Sequence, residues 1–359
     1  MKTRICFFSG DITRSGGTER VASHVANALS REDGFAVCFL SLVEQQKEPF
    51  YPIAPGIQRH QLGTHWVKPG PGYLPLIGRL RRFLKEKQID VIIDIDIVLD
   101  VLSLPAAKGL GTKVVSWEHF NADFELSSGY RKWILKYSVK RSDYVVVITK
   151  ADLEIYRSRL DRRERIAQIY NPIDKQDGCV STERKHQILS VGRLVRQKGI
   201  DKLMQVAEVV LKNNPDWQWL LLGEGEKRQE LEHFIVKHGL RGRLILKGNV
   251  SNVDSYLRHA SILVSTSEYE GFGMNILEAK RMGVPSVSFS IIGPEELIQD
   301  GIDGYLVPPF RCDEMARRID DLIRDPELRY RFAKQGLASM GAFETSVIIE
   351  KWKCLFRKL

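Results

Sequence analysis

Two glutamates eight positions apart, Glu270 and Glu278, enclose a glycine-containing turn, Gly271–Gly273. The residues before the turn, Ala260–Ser265, predict a strand, and those after it, Asn275–Met282, predict a helix. Glycine lets backbone N–H groups approach an anion closely, and a helix N-terminus adds a partial positive charge. A carboxylate can accept hydrogen bonds from two vicinal hydroxyls. The pattern therefore favours a diphosphate flanked by hydroxyl-bearing groups, with two surface glutamates beside an ordinary turn as the alternative.

Two cations could neutralise such a diphosphate. Arg193 and Lys198 lie in Val191–Gly199, which follows a predicted strand and leads into a predicted helix. Arginine offers a planar fork of donors and lysine a compact point charge, and both suit phosphate groups. Fixed cations also stabilise the charge that develops on a departing diphosphate, which would make a metal ion unnecessary. Because the helix dipole slightly disfavours cations at a helix start, we favour a functional role over two exposed surface charges.

Three further features are weaker by themselves. The pair Gly16-Gly17 follows the first predicted strand at the start of a helix, and Gly223 and Gly225 lie in another turn after a strand. His119 lies at the carboxyl end of a predicted strand, the edge at which ligands bind in open α/β sheets. It could touch a sugar or assist a proton transfer. The alternatives are ordinary tight turns and a structural histidine.

The elements that must position these residues alternate between strand and helix along the whole 359-residue chain. Such alternation predicts an α/β architecture with parallel sheets. A Pro/Gly-rich stretch, Pro49–Gly72, precedes a basic helix predicted over Ile77–Lys87. The alternation pauses at Tyr170–Lys185 and restarts with the strand Gln187–Val191. Because the length also exceeds that of one ordinary hydrophobic core, we predict two Rossmann-like domains.

Composition narrows the function classes. The net charge of +9 suits nucleic acid, lipid headgroups or phosphate-bearing substrates, or simply a solvated basic surface. Five scattered cysteines without a CxxC pattern indicate reduced thiols in a cytoplasm rather than disulfides or zinc. The first strand–helix unit lacks GxGxxG with a later acidic residue, which argues against an NAD-dependent oxidoreductase. No nucleic-acid recognition motif is present, so we expect no nucleic-acid partner.

Together these residues resemble the retaining glycosyltransferases of family 4, which have the GT-B fold. The resemblance covers nearly the whole chain and is strongest in its second half. There Glu270 and Glu278 match the E-x7-E signature, and Arg193, Lys198 and Gly199 match the donor-phosphate motif. Further matches are the turn Gly223–Gly225, Gly283-Val284-Pro285, Gly293-Pro294-Glu295-Glu296, Asp300–Val307 and the hinge-like Asn171-Pro172-Ile173-Asp174.

The resemblance implies two Rossmann-like domains that face each other across a cleft. Residues 1–172 would form the acceptor-side domain and residues 173–342 the nucleotide-sugar donor domain. A last helix, about 343–359, would pack back on the first domain. The donor would then bind in the second domain, and the acceptor in the first.

The same resemblance assigns roles to the candidate residues. Glu270 would bind the hydroxyls of the donor sugar, and Glu278 the ribose. Arg193 and Lys198 would hold the diphosphate, and His119 would lie near the reacting sugar, so that Glu270, His119, Arg193 and Lys198 form the expected catalytic set. The expected substrate-binding set is Gly16, Gly17, Gly223, Gly225, Val250, Gly271, Phe272, Gly273, Met274, Asn275, Leu277 and Glu278.

The implied reaction moves a hexose or N-acetylhexosamine, with retention of anomeric configuration, from a nucleotide-diphosphate sugar. We predict a UDP-sugar as the donor and a glycan or lipid-linked glycan as the acceptor, in surface polysaccharide or lipopolysaccharide biosynthesis. No metal or other cofactor is expected. The alternative is a non-catalytic protein that binds nucleotide-sugars or glycans, but intact Glu270, Glu278, Arg193 and Lys198 speak against a degenerate site.

Two stretches of the first domain, Arg79–Lys85 and Tyr130–Tyr137, mix cations with large apolar side chains. This combination suits the anionic headgroups of a membrane surface. No segment approaches the ~20 apolar residues that a membrane span needs. We therefore expect a cytoplasmic protein in peripheral contact with the inner membrane, with two ordinary helices that expose their charges as the alternative.

Overall fold

The computed structural model describes residues 2–67, 70–122, 129–159, 165–174 and 184–359. The chain divides into two compact units, Met1–Pro172 together with Phe343–Leu359, and Ile173–Ala342. Each unit contains a sheet of parallel strands with helices between them, so the predicted α/β architecture is confirmed. Among the described helices, none combines the length and the apolar character that crossing a membrane requires.

In its described residues the first unit contains a seven-stranded sheet of order β3-β2-β1-β4-β5-β6-β7. Its strands are β1 (Thr3–Ser9), β2 (Phe35–Ser41), β3 (Gln58–Gln61), β4 (Val91–Ile95), β5 (Lys113–Trp117), β6 (Tyr144–Val147) and β7 (Ile166–Gln168). The central strands β1 and β4 are apolar runs because helices cover both faces of such a sheet. The strand order reverses between β1 and β4, so the crevice in which α/β sheets bind ligands lies at the carboxyl ends of these two strands.

The connecting helices of this unit are α1 (Gly17–Ser30), α2 (Tyr73–Glu86), α3 (Asp100–Ala107), α4 (Gly129–Arg141) and α5 (Lys150–Arg159). Helix α2 begins four residues before the predicted Ile77. Pro75 lies in its first turn, where the missing N–H has no partner to lose. Strand β3 lies inside the Pro/Gly-rich stretch, where we predicted no strand. It is a short edge strand of polar residues, so it lacks the apolar alternation that indicates strands.

The described residues of the second unit contain a six-stranded sheet of order β10-β9-β8-β11-β12-β13. Its strands are β8 (Gln187–Val191), β9 (Gln218–Leu222), β10 (Leu244–Gly248), β11 (Ile262–Ser265), β12 (Ser286–Phe289) and β13 (Gly304–Val307). Its helices are α6 (Ile200–Asn213), α7 (Arg228–Lys237), α8 (Val253–Leu257), α9 (Met274–Arg281), α10 (Pro294–Leu297), α11 (Cys312–Arg324) and α12 (Pro326–Ala338). The order reverses between β8 and β11, so the loops that follow these strands leave the sheet side by side.

A last helix, α13 (Thr345–Phe356), belongs to the first unit. Trp352 on this helix is fully buried, and its ring centroid lies 5.0 Å from that of Trp117 at the end of β5. At the start of the helix, Thr345 Oγ1 and His24 Nε2 share a hydrogen bond of 2.8 Å. The apolar stripe of this amphipathic segment therefore packs on the first unit.

A buried ion pair anchors α9, the helix that carries Glu278. Lys280 Nζ lies 2.8 Å from Asp303 Oδ2 and 2.9 Å from Ser339 Oγ, and it also donates to the carbonyl oxygen of Leu297. Only 6% of the Lys280 side chain and 1% of the Asp303 side chain are exposed. Because the ammonium group has three partners, the cost of removing it from water is offset in the folded chain.

We expect Asp303→Ala to lower the free energy of unfolding by about 3–5 kcal/mol, because Lys280 would stay buried without its counter-ion. Asp321→Ala is the matched control in the same unit. Its partner Arg318 lies 3.8 Å away and both side chains are about half exposed, so the expected loss is below ~1 kcal/mol. Urea denaturation followed by tryptophan fluorescence measures both variants. Equally small losses would show that the Lys280 ammonium does not depend on Asp303.

Candidate functional site

In the second unit, the loops that follow β8 and β11 meet at an ion pair. Lys198 Nζ lies 2.6 Å from Glu270 Oε1, and the two side chains are 21% and 9% exposed. The pair is thus partly shielded from water, which strengthens the attraction between the two charges. Ser267 Oγ donates a second hydrogen bond of 2.7 Å to the same carboxylate oxygen. The other oxygen, Glu270 Oε2, has no hydrogen-bond partner among the residues that the structure describes, so it is available to a ligand.

Close backbone packing places Lys198 on Glu270. The Thr266 hydroxyl donates a hydrogen bond of 3.0 Å to the carbonyl oxygen of Lys198. The next residue, Gly199, has φ 61°, and a Cβ there would lie 1.9 Å from the carbonyl oxygen of Thr266. Only glycine allows both this conformation and this approach. The loop after β8 is therefore fixed against the loop after β11.

The loop after β8 also carries an unpaired cation. The side chain of Arg193 is exposed and forms no ion pair or hydrogen bond with any residue in the described part of the chain. Lys198, on the same loop, is already paired with a carboxylate. Arg193 can therefore bind an anion without first breaking an internal contact, whereas Lys198 would share its charge between Glu270 and a ligand.

Helix α9 starts at the glycine turn, one residue before the predicted start. Gly273 precedes the helix with φ 93°, a left-handed conformation that glycine adopts without strain. Asn275 Nδ2 donates a hydrogen bond of 3.0 Å to the carbonyl oxygen of Val191, which ties the first turn of α9 to the end of β8. Glu278 lies one turn further along and is buried. The two glutamates thus lie on either side of a helix start whose N–H groups suit an anion.

The neighbours of the two glutamates differ in what they could offer a ligand. Phe272 is 3% exposed and Leu277 is fully buried, so their side chains pack in the interior and only their backbone groups could meet a ligand. Gly271 and Met274 are partly exposed at the turn itself. Val250, two residues after β10, is also partly exposed.

In the turn that contains Gly223 and Gly225, the backbone packs closely against the backbone of the loop after β8. A Cβ at Gly223 would lie 2.0 Å from the carbonyl oxygen of Gly192, and a Cβ at Gly225 would lie 2.3 Å from that of Leu194. In addition, Leu194 N–H donates a hydrogen bond of 2.8 Å to the carbonyl oxygen of Glu224. These two glycines therefore support the loop that carries Arg193, which is a packing role that the sequence pattern did not indicate.

The remaining candidates, Gly16, Gly17 and His119, lie in the first unit. The two glycines follow β1 at the start of α1, and His119 follows β5, so all three are at the carboxyl edge of the first sheet. A Cβ at Gly16 would contact the carboxylate of Glu19, whereas a Cβ at Gly17 would meet no atom within 4 Å. Packing within the first unit therefore does not explain the absence of a side chain at position 17.

His119 is a buried, uncharged histidine. It is 7% exposed, and its ring centroid lies 4.4 Å from that of Trp117. Burial lowers the pKa of His119 to about 3, because the charged form loses its contact with water. Its Nε2 has no hydrogen-bond partner among the described residues. The ring can therefore make one further hydrogen bond, but it carries no charge at neutral pH.

Thr266 and Ser267 are residues of the candidate site that the sequence did not reveal. Both are small polar residues in the loop between β11 and Glu270, and their importance lies in contacts with Lys198 and Glu270 that no local pattern encodes. Within the described ranges, no group of three or more His, Cys, Asp or Glu side chains is placed to hold a metal ion. The charged groups of this edge suit an anion that also carries hydroxyl groups.

Two family models match the chain, one on each half. Residues 15–177 match the model described as Glycosyltransferase Family 4, and residues 175–338 match the model described as Glycosyl transferases group 1. Each half therefore matches a glycosyltransferase domain, and the second match contains both glutamates, Arg193 and Lys198.

Similar proteins extend over nearly the full length. An uncharacterized glycosyltransferase of Haemophilus influenzae is 29% identical over 353 residues, which is 98% of this chain and 99% of the relative. The amylovoran biosynthesis glycosyltransferase AmsD of Erwinia amylovora is 27% identical over 352 residues, covering 95% of this chain and 96% of AmsD. The crystal structure of Anabaena HepE in complex with UDP is 19% identical, covers 100% of both chains and has a TM-score of 0.83, which shows that the fold is shared.

These matches and the two α/β units agree with one another. The family models together span residues 15–338 and meet near residue 175, close to the division between the two units. The structural similarity to HepE extends over both units. The chain therefore belongs to the family 4-like glycosyltransferases with the GT-B fold.

Proposed function

We propose that this glycosyltransferase takes a hexose or N-acetylhexosamine from a UDP-sugar and transfers it with retention of configuration. The acceptor is a glycan or lipid-linked glycan of surface polysaccharide biosynthesis. The observation that carries this proposal is the Lys198–Glu270 pair beside the unpaired Arg193, at adjacent strand ends of the second unit. Two similarities support it: AmsD is named for amylovoran biosynthesis, and HepE was solved with UDP.

The donor diphosphate binds between the two cations and the start of α9. Arg193 and Lys198 supply the countercharge, and the N–H groups around Gly271–Gly273 supply hydrogen-bond donors. Oε2 of Glu270, which lacks a partner among the described residues, accepts hydrogen bonds from hydroxyls of the donor sugar. Glu278, on the other side of the turn, accepts them from the ribose. The spacing of the two carboxylates thereby sets the orientation of the nucleotide-sugar.

The same groups stabilise the departing nucleoside diphosphate. Negative charge accumulates on the diphosphate as the bond to the anomeric carbon breaks, and fixed cations lower the energy of that state. Lys198 and Arg193 perform this role, and we propose that no metal is needed. A phosphate oxygen of the donor accepts the proton of the acceptor hydroxyl on the face from which the diphosphate leaves, so the anomeric configuration is retained.

His119 contributes a hydrogen bond rather than a charge. Its pKa of about 3 keeps the imidazole neutral across the range in which such an enzyme works. A neutral ring with an unoccupied Nε2 can hold a sugar hydroxyl, but it is not protonated and so cannot act as a general acid. We therefore place His119 among the groups that position the reacting sugar.

We expect Glu270→Gln to lower kcat by about 10²–10³-fold, because the variant loses both the carboxylate that binds the sugar and the partner that orients Lys198. Lys198→Ala should show a comparable loss. The measurement is the release of UDP from a UDP-sugar, together with thermal shifts in UDP-, GDP- and ADP-sugars. Retention is read from the anomeric NMR signal of the product, and unchanged activity in EDTA tests the independence from metal.

The control is the neighbouring pair of Lys202 and Glu268, whose Nζ–Oε1 distance is also 2.6 Å. Glu268→Gln removes the same kind of ion pair two positions away from Glu270, and we expect nearly wild-type turnover. A wild-type protein that no nucleotide-sugar stabilises would overturn the proposal. Equal losses in Glu268→Gln and Glu270→Gln would reduce the role of Glu270 to one of local structure.

We also expect His119 to make the fold less stable in acid. The folded pKa is about 3 and the ordinary value is 6.5, so below pH 6.5 the unfolded chain binds a proton that the folded chain excludes. Above pH 6.5 the histidine is neutral in both states and does not change the free energy of unfolding. Below pH 6.5 the free energy of unfolding falls by about 1.4 kcal/mol per pH unit. The stability difference between wild type and His119→Gln should therefore shift by about 2 kcal/mol between pH 7.5 and 5. Urea unfolding at both pH values measures it, and parallel curves would contradict the neutral assignment.

We further propose that α4 contacts anionic lipid at the membrane surface. Trp133 is 57% exposed on this helix, and the exposed Lys132 and Lys136 flank it. An exposed aromatic ring between cations suits the interface, where the ring enters the headgroup region and the ammonium groups meet lipid phosphates. This contact would bring the enzyme to a lipid-linked acceptor.

Flotation with vesicles that contain phosphatidylglycerol tests the contact. We expect wild type to float with these vesicles and not with neutral phosphatidylcholine, and the double variant Lys132→Glu/Lys136→Glu to lose most of the binding, since each cation near the surface adds about 1 kcal/mol. Lys237→Glu/Lys334→Glu makes the same charge change on exposed residues of the second unit and should still float. Equal binding of all three proteins would refute the assignment to α4.

A further inference from the structure

The backbone at the end of β4 adopts a conformation that side-chain-bearing residues avoid. Asp96, the residue after β4, has φ 101° and ψ 125°. Repulsion between Cβ and the backbone leaves this region almost entirely to glycine. Such strain persists only where surrounding contacts impose it, and it is concentrated at sites of binding and catalysis. The presence of aspartate rather than glycine at position 96 therefore requires an explanation.

Four hydrogen bonds hold Asp96 in this conformation. Its N–H donates to the carbonyl oxygen of Trp117 over 3.1 Å, and its carbonyl oxygen accepts from Leu99 N–H over 3.1 Å. Its Oδ1 accepts from Val98 N–H at 3.1 Å and from Arg131 Nη2 at 3.2 Å. All the side-chain contacts thus use one oxygen. Oδ2 has no hydrogen-bond partner among the described residues, and the side chain is 23% exposed.

The strained residue lies at the point where ligands bind in sheets of this kind. β4 and β1 are neighbours at the reversal of strand order, so Asp96 lies beside the loop that follows β1 and leads to Gly17. On the other side, β5 ends next to it at His119, whose buried Nε2 also lacks a partner among the described residues. Two adjacent strand ends therefore each carry a polar atom without a partner among the described residues, on a partly exposed side chain at Asp96 and on a buried one at His119.

Asp94 and Asp100, two other acidic residues of this region, also have one carboxylate oxygen each without a partner among the described residues, but they lack the strained backbone and the exposure of Asp96. Asp94 and Asp100 are fully buried, and they accept hydrogen bonds from the hydroxyls of Ser103 and Ser116. Burial raises the pKa of all three carboxyl groups, and only at Asp96 does a neighbouring arginine, Arg131, oppose the rise. Asp94 and Asp100 stabilise the loop from within, whereas Asp96 reaches the surface.

We propose that Asp96 binds a hydroxyl of the acceptor glycan through Oδ2, with Arg131 and the strained backbone fixing the direction of the carboxylate. The inference rests on the proposed function, in which the donor occupies groups of the second unit. A neutral sugar hydroxyl donates well to a carboxylate oxygen. Asp96 is therefore an acceptor-binding residue, and it takes no part in holding the nucleotide.

Steady-state kinetics with the natural acceptor tests the assignment. The acceptor source is the glycolipid extract of source cells that lack this gene, in which an unused acceptor accumulates. We expect Asp96→Asn to lower kcat/KM for this acceptor by roughly tenfold or more, while the KM for the UDP-sugar and its slow hydrolysis stay unchanged. Glu44→Gln is the control, since Glu44 follows β2 at the same edge and also pairs with an arginine, Arg59, at 3.6 Å.

A second pair of variants separates strain from function. Asp96→Gly and Asp96→Ala both remove the carboxylate and differ only in a Cβ at φ 101°. We expect the melting temperature of the glycine variant to be roughly 2–6 °C higher than that of the alanine variant. At ordinary backbone angles the order is reversed, because alanine is then the more stabilising residue. Both should lose acceptor transfer equally, because both lack Oδ2.

The outcomes are distinguishable from those of the proposed function. Wild-type transfer to the extract with equal kcat/KM in Asp96→Asn or Asp96→Gly would overturn the role of Asp96 and leave the glycosyltransferase proposal standing. Loss of UDP-sugar binding in Asp96→Asn would also overturn it, since the residue would then serve the donor. A wild-type protein that neither binds a UDP-sugar nor modifies the extract would reject both.

Discussion

The contact between Lys198 and Glu270 depends on the geometry of a parallel sheet. The two residues are 72 positions apart in the chain, and they meet because β8 and β11 are neighbours whose carboxyl ends open at the same edge. The glycine at position 199 and the hydroxyl of Thr266 then bring the loops close enough for a 2.6 Å ion pair. The glycine turn before α9 and the unpaired Arg193 are arranged around this contact.

The carboxyl edges of the two sheets have different electrostatic character. The second unit presents two cations and two carboxylates, which suit an anion with hydroxyl groups at both ends. In the first unit, burial removes the charge of His119, and Asp96 offers one carboxylate oxygen beside Arg131. An edge of this kind suits a neutral, hydroxyl-rich ligand. The proposed division between donor and acceptor follows from this difference.

Two lysine–carboxylate pairs of the second unit differ in burial, and this difference indicates which of them could contact a ligand. Lys280 and Asp303 are almost fully buried, and the ammonium group has three partners, so the pair can only hold α9 in place. Lys198 and Glu270 have a comparable distance but keep partial exposure, and one carboxylate oxygen lacks a partner among the described residues. The first pair has no free carboxylate oxygen facing water, whereas the second keeps one that a ligand can reach. A preorganised site needs ligand-facing groups that rigid neighbours hold in place. The Lys280–Asp303 pair provides the rigid support, and the Lys198–Glu270 pair provides the ligand-facing groups.

The sequence by itself determined the α/β architecture, the restart of the pattern after residue 170, and the strand–turn–helix context of Glu270 and Glu278. These features are local, because periodicity and glycine act through neighbouring residues. Strand β3 was not predicted, because an edge strand can form without the apolar residues that indicate a strand in the sequence. Only the tertiary structure decided that Lys198 pairs with Glu270, that burial neutralises His119, and that Asp96 is strained. Each of these depends on residues far away in the chain, whose approach creates the desolvation, the countercharge and the backbone constraint.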